Sequence, residues 1–348
     1  MTKHIAAKIT VAVLTLLLIV FAVNAVLLVF ASVLVAIALR ALAEPLAKRI
    51  GISEPWAVAV VVALLVLLFS SVGWAIAPAI GEQAGQLRTA LPDAMQRLQQ
   101  ELSRFVWVES LFDSAPAADA PIAQEGVASK VTSAVSGTFT AIANTVVTLV
   151  IALYLAVDPR MYVEGVVRLF PLARRDRARE VMHAIGATLR WWLIGKGLSM
   201  VLVGTAAFIG LLALDVPLAG ALALIAALLD FIPNVGPILA VVPAALFALL
   251  QGPTQVVYVL ALYASIQIIE GYLLTPLIEQ QTVSVPPALS LTAMLVAALI
   301  FGWLGLLLAA PATAALLVLV RMVYLEDTLG ERHTATAGPT RPARTQRS

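Results

Sequence analysis

Apolar runs long enough to cross a bilayer follow one another along most of this chain, separated by short polar breaks. The first, Ile9 to Leu39, has one strongly polar interruption, Asn24. As a single helix it would measure roughly 46 Å against a hydrocarbon core of about 30 Å. It reads best as two short spans turning near Asn24, with one tilted helix as the alternative. The start has some features of a secretory signal, with Val23-Asn24-Ala25 as a passable cleavage site. Its apolar run far exceeds what such signals carry, so an uncleaved span is expected.

Arg40 to Pro55 then reads as a short polar loop, and Trp56 to Ala77 as a third span closed by Pro78. The largest polar segment, Glu82 to Lys130, carries Leu87, Leu91, Met95, Leu98, Leu102 and Phe105 at steps of three or four, an amphipathic helix. Ser114 to Gln124, rich in alanine and proline, reads as a loop. A fourth span covers Ser136 to Val157 and turns at Asp158-Pro159. Arg160 to Arg190 is strongly basic and, with Trp191 and Trp192 behind it, predicts a helix lying on the cytoplasmic leaflet. Gly195 to Leu214 makes a fifth span. Thr254 to Leu274 makes a later one, and Ala288 to Tyr324 a long final block pinched at Gly302, Gly305 and Pro311.

Between the fifth span and the one beginning at Thr254 lies the most unusual stretch, the block 217–250. Its centre, Leu228 to Pro243, holds Asp230, Pro233, Asn234, Gly236, Pro237 and Pro243 inside an apolar run. Proline removes a backbone donor and clashes with the preceding turn, so a continuous helix is broken or kinked here. Freed backbone at membrane depth survives only where protein or a watery cavity satisfies it. Two readings follow: a broken helix lining a pathway, or a surface loop with Asp230 and Asn234 in water. Gln267 and Glu270, three residues apart, share a helix face near the end of the next span. Lys196, just inside the fifth span, is expected to snorkel back to the surface.

Composition settles the class. Of 348 residues, 61% are hydrophobic and 12% charged, where a soluble domain carries about 25% charge. The chain is an all-α, polytopic membrane protein with about eight crossings, counting 9–39 twice and the blocks 217–250 and 288–324 once each. Four units are expected: three spans over 1–77, an extracytoplasmic amphipathic segment over 78–135, a transport core over 136–325 and a disordered cytoplasmic tail over 326–348. Lys48, Arg49 and the arginine cluster fall on one side. The segment 82–130, with four Lys/Arg against seven Asp/Glu, falls on the other. The positive-inside rule then places both termini in the cytoplasm of an inner-membrane protein.

Little catalytic chemistry is available. Cysteine is absent, and none of the three histidines lies within a span. No HExxH, GxSxG, phosphate-loop or dinucleotide motif occurs. No enzyme activity, cofactor, metal or nucleic-acid partner is expected. The polar groups at depth point to transport: Asp230, Asn234 and carbonyls freed by Pro233 and Pro237 could form a broken-helix site.

The runs DFIPNVGPILAVVPAAL, QIIEGYLLTPLIEQQTVSVPPALSL and FGWLGLLLAAPATAAL, with WWLIGKGL upstream, together resemble the autoinducer-2 exporter family over residues 5–325. The resemblance implies a multi-span transporter forming homo-oligomers, pentamers on the family picture. One branch is linked to export of the quorum-sensing signal autoinducer-2, and others to sodium or lithium against protons. The family motifs fall on Pro233, Asn234, Gly236, Pro237 and Pro243; on Glu270, Pro276 and Pro287; and on Gly302, Gly305 and Pro311. Asp230 departs from a position that is often neutral in the family, which favours a cation-coupled mechanism or marks a surface substitution. The expected function is export of a small polar solute, with Asp230, Pro233, Asn234, Gly236, Pro237, Gln267 and Glu270 on its path. A cation/proton antiporter and a non-transporting scaffold are the alternatives.

Overall fold

The structure is a computed structural model that describes residues 2–71, 73, 74, 78, 143–274 and 286–329, apart from the side chains of 2–23, 273, 274 and 287. The amphipathic series Leu87 to Phe105, the stretch Ser114 to Gln124, Pro276 and the tail beyond Leu329 lie outside the described residues.

The first helix, α1, runs unbroken from Thr2 to Ile50. The two short spans expected around Asn24 are therefore one helix. Asn24 has neither glycine nor proline beside it, and one asparagine among leucines and valines has no means of reversing a chain. The helix also continues through Pro45 into the stretch expected to be a polar loop, and ends only at Gly51, whose φ is +76°. Ser32, Ala36, Leu39, Ala43 and Ala47 make its buried stripe. These mostly small side chains let α2 (Glu54–Ser71) and α3 (Ala143–Val157) approach closely through Ala57, Val58, Ala152 and Ala156. An unbroken α1 that crosses once puts Thr2 and Ser53 on opposite faces of the membrane. Because the chain has no native cysteine, Thr2→Cys and Ser53→Cys can each be probed with an impermeant maleimide. Labelling from opposite sides is expected; labelling from one side would restore the turn near Asn24 and two cytoplasmic termini.

After α3 the chain bends by 89° into α4 (Pro159–Val167), with Asp158 accepting the Met161 amide as N-cap. The next helix, α5, runs from Arg175 to Ala213 and is 39 residues long. The later part of the basic stretch is thus the first half of the fifth span rather than a separate surface helix. Nothing between Arg190 and Gly195 stops a helix. Its arginines are engaged with protein. Arg177 bonds Glu326 and the Met322 carbonyl at the far end of the chain, and Arg190 bonds Glu44 of α1 at 2.5 Å. Arg40 reaches both Glu54 and the Ala156 carbonyl. A hydrogen bond from Arg179 holds the Glu164 carboxyl below the ordinary carboxylate range. These links gather the C-terminal ends of α1 and α3, the start of α5 and the chain around Glu326 on one side of the bundle.

The interrupted block forms α6 (Ala219–Leu229) and α7 (Val235–Leu249). A Cβ on Gly236 would lie 1.8 Å from the Leu229 carbonyl oxygen, so the chain doubles back between them. At roughly 16 and 22 Å, neither helix crosses a core of about 30 Å. After α8 (Pro253–Ile269), which continues as a π-helical turn over Glu270–Leu274, comes α9 (Pro287–Leu319). Gly302 interrupts α9 with φ 62° and ψ −144°. Residues eight apart on a straight helix are separated by about 12 Å. A Cβ on Gly305 would instead lie 2.1 Å from the Ala297 carbonyl oxygen, so α9 is also a hairpin.

By length and apolarity five helices among the described residues could cross a membrane, or six if the bent pair α3–α4 is one span. The last of the five is α9, which folds back at Gly302. The sequence-based total of eight changes at all three places where it was counted: 9–39 is one helix, and both blocks are split. The main core lies among α5, α6, α7 and α8, around Ala207, Leu211, Leu222, Ala244 and Val259. The turn of the α6–α7 hairpin packs against the two arms of α9, with Ile232 and Val235 beside Met294, Ala297, Leu306 and Ala309.

Candidate functional site

The turn between α6 and α7 places one carboxylate deep in the bundle. Asp230 is the C-cap of α6 and is 1% exposed. Facing it from α5 are Lys196 and Ser199, three residues apart on one helical face. Glu270 approaches from the other side, at the point where α8 widens into its π turn. The Lys196 ammonium lies 3.0 Å from Asp230 Oδ2 and 3.3 Å from Glu270 Oε1. The Ser199 hydroxyl lies 2.9 Å from the same Asp230 oxygen and 2.6 Å from the same Glu270 oxygen. Two oxygens are therefore each shared by one ammonium and one hydroxyl. Gln267 donates to the other Glu270 oxygen at 3.0 Å. Asp230 Oδ1 is buried with no hydrogen-bond partner among the described residues.

Lys196 is buried, against the expectation that it snorkels to the surface. A long cationic side chain turns outward when its Cα faces lipid or the interface. Here it faces inward: Leu189, Lys196, Ser199, Val203, Ala207 and Leu211 form the buried stripe of α5. Their steps of seven, three and four are those of one helical face, a signal present in the sequence. The ammonium is held there because two carboxylates and a hydroxyl supply the partners that burial of a charge requires.

The remaining residues of the expected pathway divide by role. Pro233 sits in the turn, half-buried. Pro237 occupies the first turn of α7, where a missing N–H is tolerated. Only Pro233 thus lies at the interruption itself. Gly236 provides the contact with α6 described above. Asn234 is exposed, with φ 63°, and it is absent from the polar cluster. With ψ −42° it is the centre of a three-residue turn closed by the Val235 amide on the Pro233 carbonyl at 2.7 Å, a strained geometry, so its contribution is to the shape of the turn. Asn234→Gly should leave folding and activity close to normal, whereas Asn234→Val should lower thermal stability by about 1–2 kcal/mol. Comparing the thermal midpoints of the two purified variants checks this.

Trp192 adds an aromatic wall, its ring edge-on to Phe231 at 5.6 Å. A buried cluster of opposite charges thus sits where the α6–α7 turn meets α5 and the end of α8 inside an apolar bundle. The chain matches the model of the AI-2E family transporters over residues 9–324. It belongs to that family. Among curated proteins none matches it.

As an AI-2E family transporter the chain acts on a solute within a membrane, and its all-helical, apolar architecture is that of a multi-pass membrane protein. Among the described residues no group of three or more His, Asp or Glu side chains could hold a metal ion. An open depression beside the α1–α2 turn, lined by Glu44, Ala47, Lys48, Ile52 and Glu54, lies on the salt-bridged side of the bundle. Glu44 and Glu54 are both engaged by Arg40 there.

Proposed function

We propose that this family member is a secondary-type transporter that exports a small polar solute of the autoinducer-2 kind across the inner membrane. The observation that carries the reading is the buried Lys196–Ser199–Asp230–Glu270 cluster at the α6–α7 turn. Buried ionisable groups in membrane helices are expensive and mark substrate or ion paths. Short half-helices meeting near the middle of a bundle are also the form in which transporters build central sites. Alternating access then means movement of the α6–α7 and α9 hairpins against the α5–α8 frame, with the polar cluster exposed to each side in turn.

The excess of carboxylates over ammonium groups favours a second reading, a sodium or lithium/proton antiporter. Both are tested in proteoliposomes by following efflux of labelled autoinducer-2 and, separately, internal pH when sodium or lithium is added. Solute efflux without an ion-linked pH change supports the exporter. An ion-linked pH change without solute efflux supports the antiporter.

The gathered arginines and Lys48 and Arg49 support an orientation with this face, and the C-terminus, in the cytoplasm. Homo-oligomers, pentameric on the family picture, are part of the proposal. Apolar outer faces such as Leu64, Leu67, Leu68 and Phe69 of α2 are exposed in the single chain and available to lipid or to a second copy.

A further inference from the structure

We infer that the buried cluster holds one bound proton, carried between Asp230 and Glu270 across the Ser199 hydroxyl, while Lys196 stays charged. The inference takes the cluster of the proposed pathway as its subject, but its test reads protonation and not flux, so the two can fail separately.

Hydrogen counting leads to it. Ser199 has one hydroxyl hydrogen, yet its oxygen lies 2.9 Å from Asp230 Oδ2 and 2.6 Å from Glu270 Oε1. It donates to one of these oxygens only. If both carboxylates were ionised, the other contact would set lone pairs of oxygen against a negative charge in a buried site, with no hydrogen between them. A proton on one carboxyl group turns that contact into a hydrogen bond, with the serine oxygen as acceptor. Charge agrees with the count. Among the four groups named, two carboxylates and one ammonium sum to −1, and one proton makes these four neutral, which burial favours.

The partners place the proton on Asp230. Glu270 receives Gln267 on one oxygen, and Lys196 and Ser199 on the other, one donor more than Asp230 receives. Its 2.6 Å contact with the hydroxyl is the length of an O–H donating to a carboxylate. Asp230 is more deeply buried, and its Oδ1 is without a partner among the described residues. A neutral carbonyl oxygen is far less costly there than half of a carboxylate. The 3.0 Å contact with Lys196 is compatible with this, because a neutral carboxyl oxygen still accepts from an ammonium. α9 contributes apolar Met294 and Ala309 against Ile232, and the buried Tyr263 hydroxyl of α8 has no hydrogen-bond partner among the described residues.

The arrangement also moves the proton. Asp230 Oδ2–H breaks as the hydrogen passes to Ser199 Oγ, and Ser199 Oγ–H breaks as its own hydrogen passes to Glu270 Oε1. The serine ends unchanged, with one proton transferred from α6 to α8 and the negative charge moved the opposite way. A rearrangement of the hairpins that separates Asp230 from Ser199 would therefore trap the proton on one helix or the other.

Infrared difference spectroscopy of the full-length protein in lipid at neutral pH tests this. The wild type should show the carbonyl stretch of one protonated carboxylic acid, shifted in deuterium oxide. Asp230→Asn and Glu270→Gln should each abolish that band, because the surviving carboxylate is then neutralised by Lys196 alone. Lys196→Met should raise its intensity to about twice that of the wild type. Absence of the band in the wild type, or its survival in both amide variants, would overturn the inference. Should Lys196→Met fail to assemble, the isosteric amide variants decide the matter.

Discussion

Gly236→Ala is expected to abolish the accumulation of folded protein. The added Cβ would sit 1.8 Å from the carbonyl oxygen of Leu229 and 2.5 Å from its carbon. Extra methylenes in a packed interior usually cost about 1–3 kcal/mol, because side chains shift to receive them. Here the obstacle is main chain at the end of α6, held by the Asp230 and Ile232 amide hydrogen bonds of the reversal, and no rotamer change relieves it. Relief requires α6 and α7 to separate. That would pull Asp230 from Lys196 and Ile232 from the α9 hairpin, so the effect should exceed the usual range. Gly165→Ala is the matched control, since a Cβ there meets nothing within 4 Å. Size-exclusion profiles of the two variants from equal membrane preparations should show a folded peak for Gly165→Ala only. A normal peak from Gly236→Ala would mean that the hairpin is not closed as described.

Lys196→Met should destabilise the protein by about 3–5 kcal/mol, the usual cost of removing one partner from a buried ionic group. It leaves Asp230 and Glu270 facing each other across Ser199 with no cation, and the second proton that the pair must then bind at neutral pH is held at a free-energy cost. Neutralising all three positions is different. Lys196→Met combined with Asp230→Asn and Glu270→Gln removes the need to bind those protons and should regain most of the lost stability, since apolar or neutral replacements of buried ion pairs are often tolerated. Transport should not return with stability. Thermal midpoints and proteoliposome flux, measured on the same preparations, separate the two effects. Equal thermal midpoints for Lys196→Met and the wild type would show that the ammonium is not buried among the acids.

Much of this arrangement is legible in the residue order, and the gaps have identifiable causes. The break around Asp230 follows from Pro233, Asn234 and Gly236 in an apolar run, because those residues cannot continue a helix together. Gln267 and Glu270 are readable as a pair from their spacing. What linear reading does not provide is the partner across space. Lys196, taken alone near a span end, suits the surface; only its step relation to Leu189, Val203 and Ala207 turns it inward. Ser199 is silent in sequence, since a serine in a membrane helix commonly bonds its own backbone, as Ser32 does with the Leu28 carbonyl. At Asn234 the side-chain chemistry is what a sequence displays, whereas the backbone angle is the relevant property. The pinch at Gly302 and Gly305 is visible as a bend, but its sharpness depends on the approach to the Ala297 carbonyl. Asn24 marked a turn that its apolar neighbours do not make.

Flux through Asp230→Asn in proteoliposomes, measured beside the wild type at matched amounts of folded protein, tests the central claim most directly. The amide keeps the size of the side chain and leaves Lys196 paired with Glu270, so assembly should be preserved. If the buried cluster at the α6–α7 turn is the working site, autoinducer-2 efflux and any ion-linked pH change should both fall to the level of empty liposomes. Flux equal to that of the wild type would contradict the account and place the pathway elsewhere in the bundle.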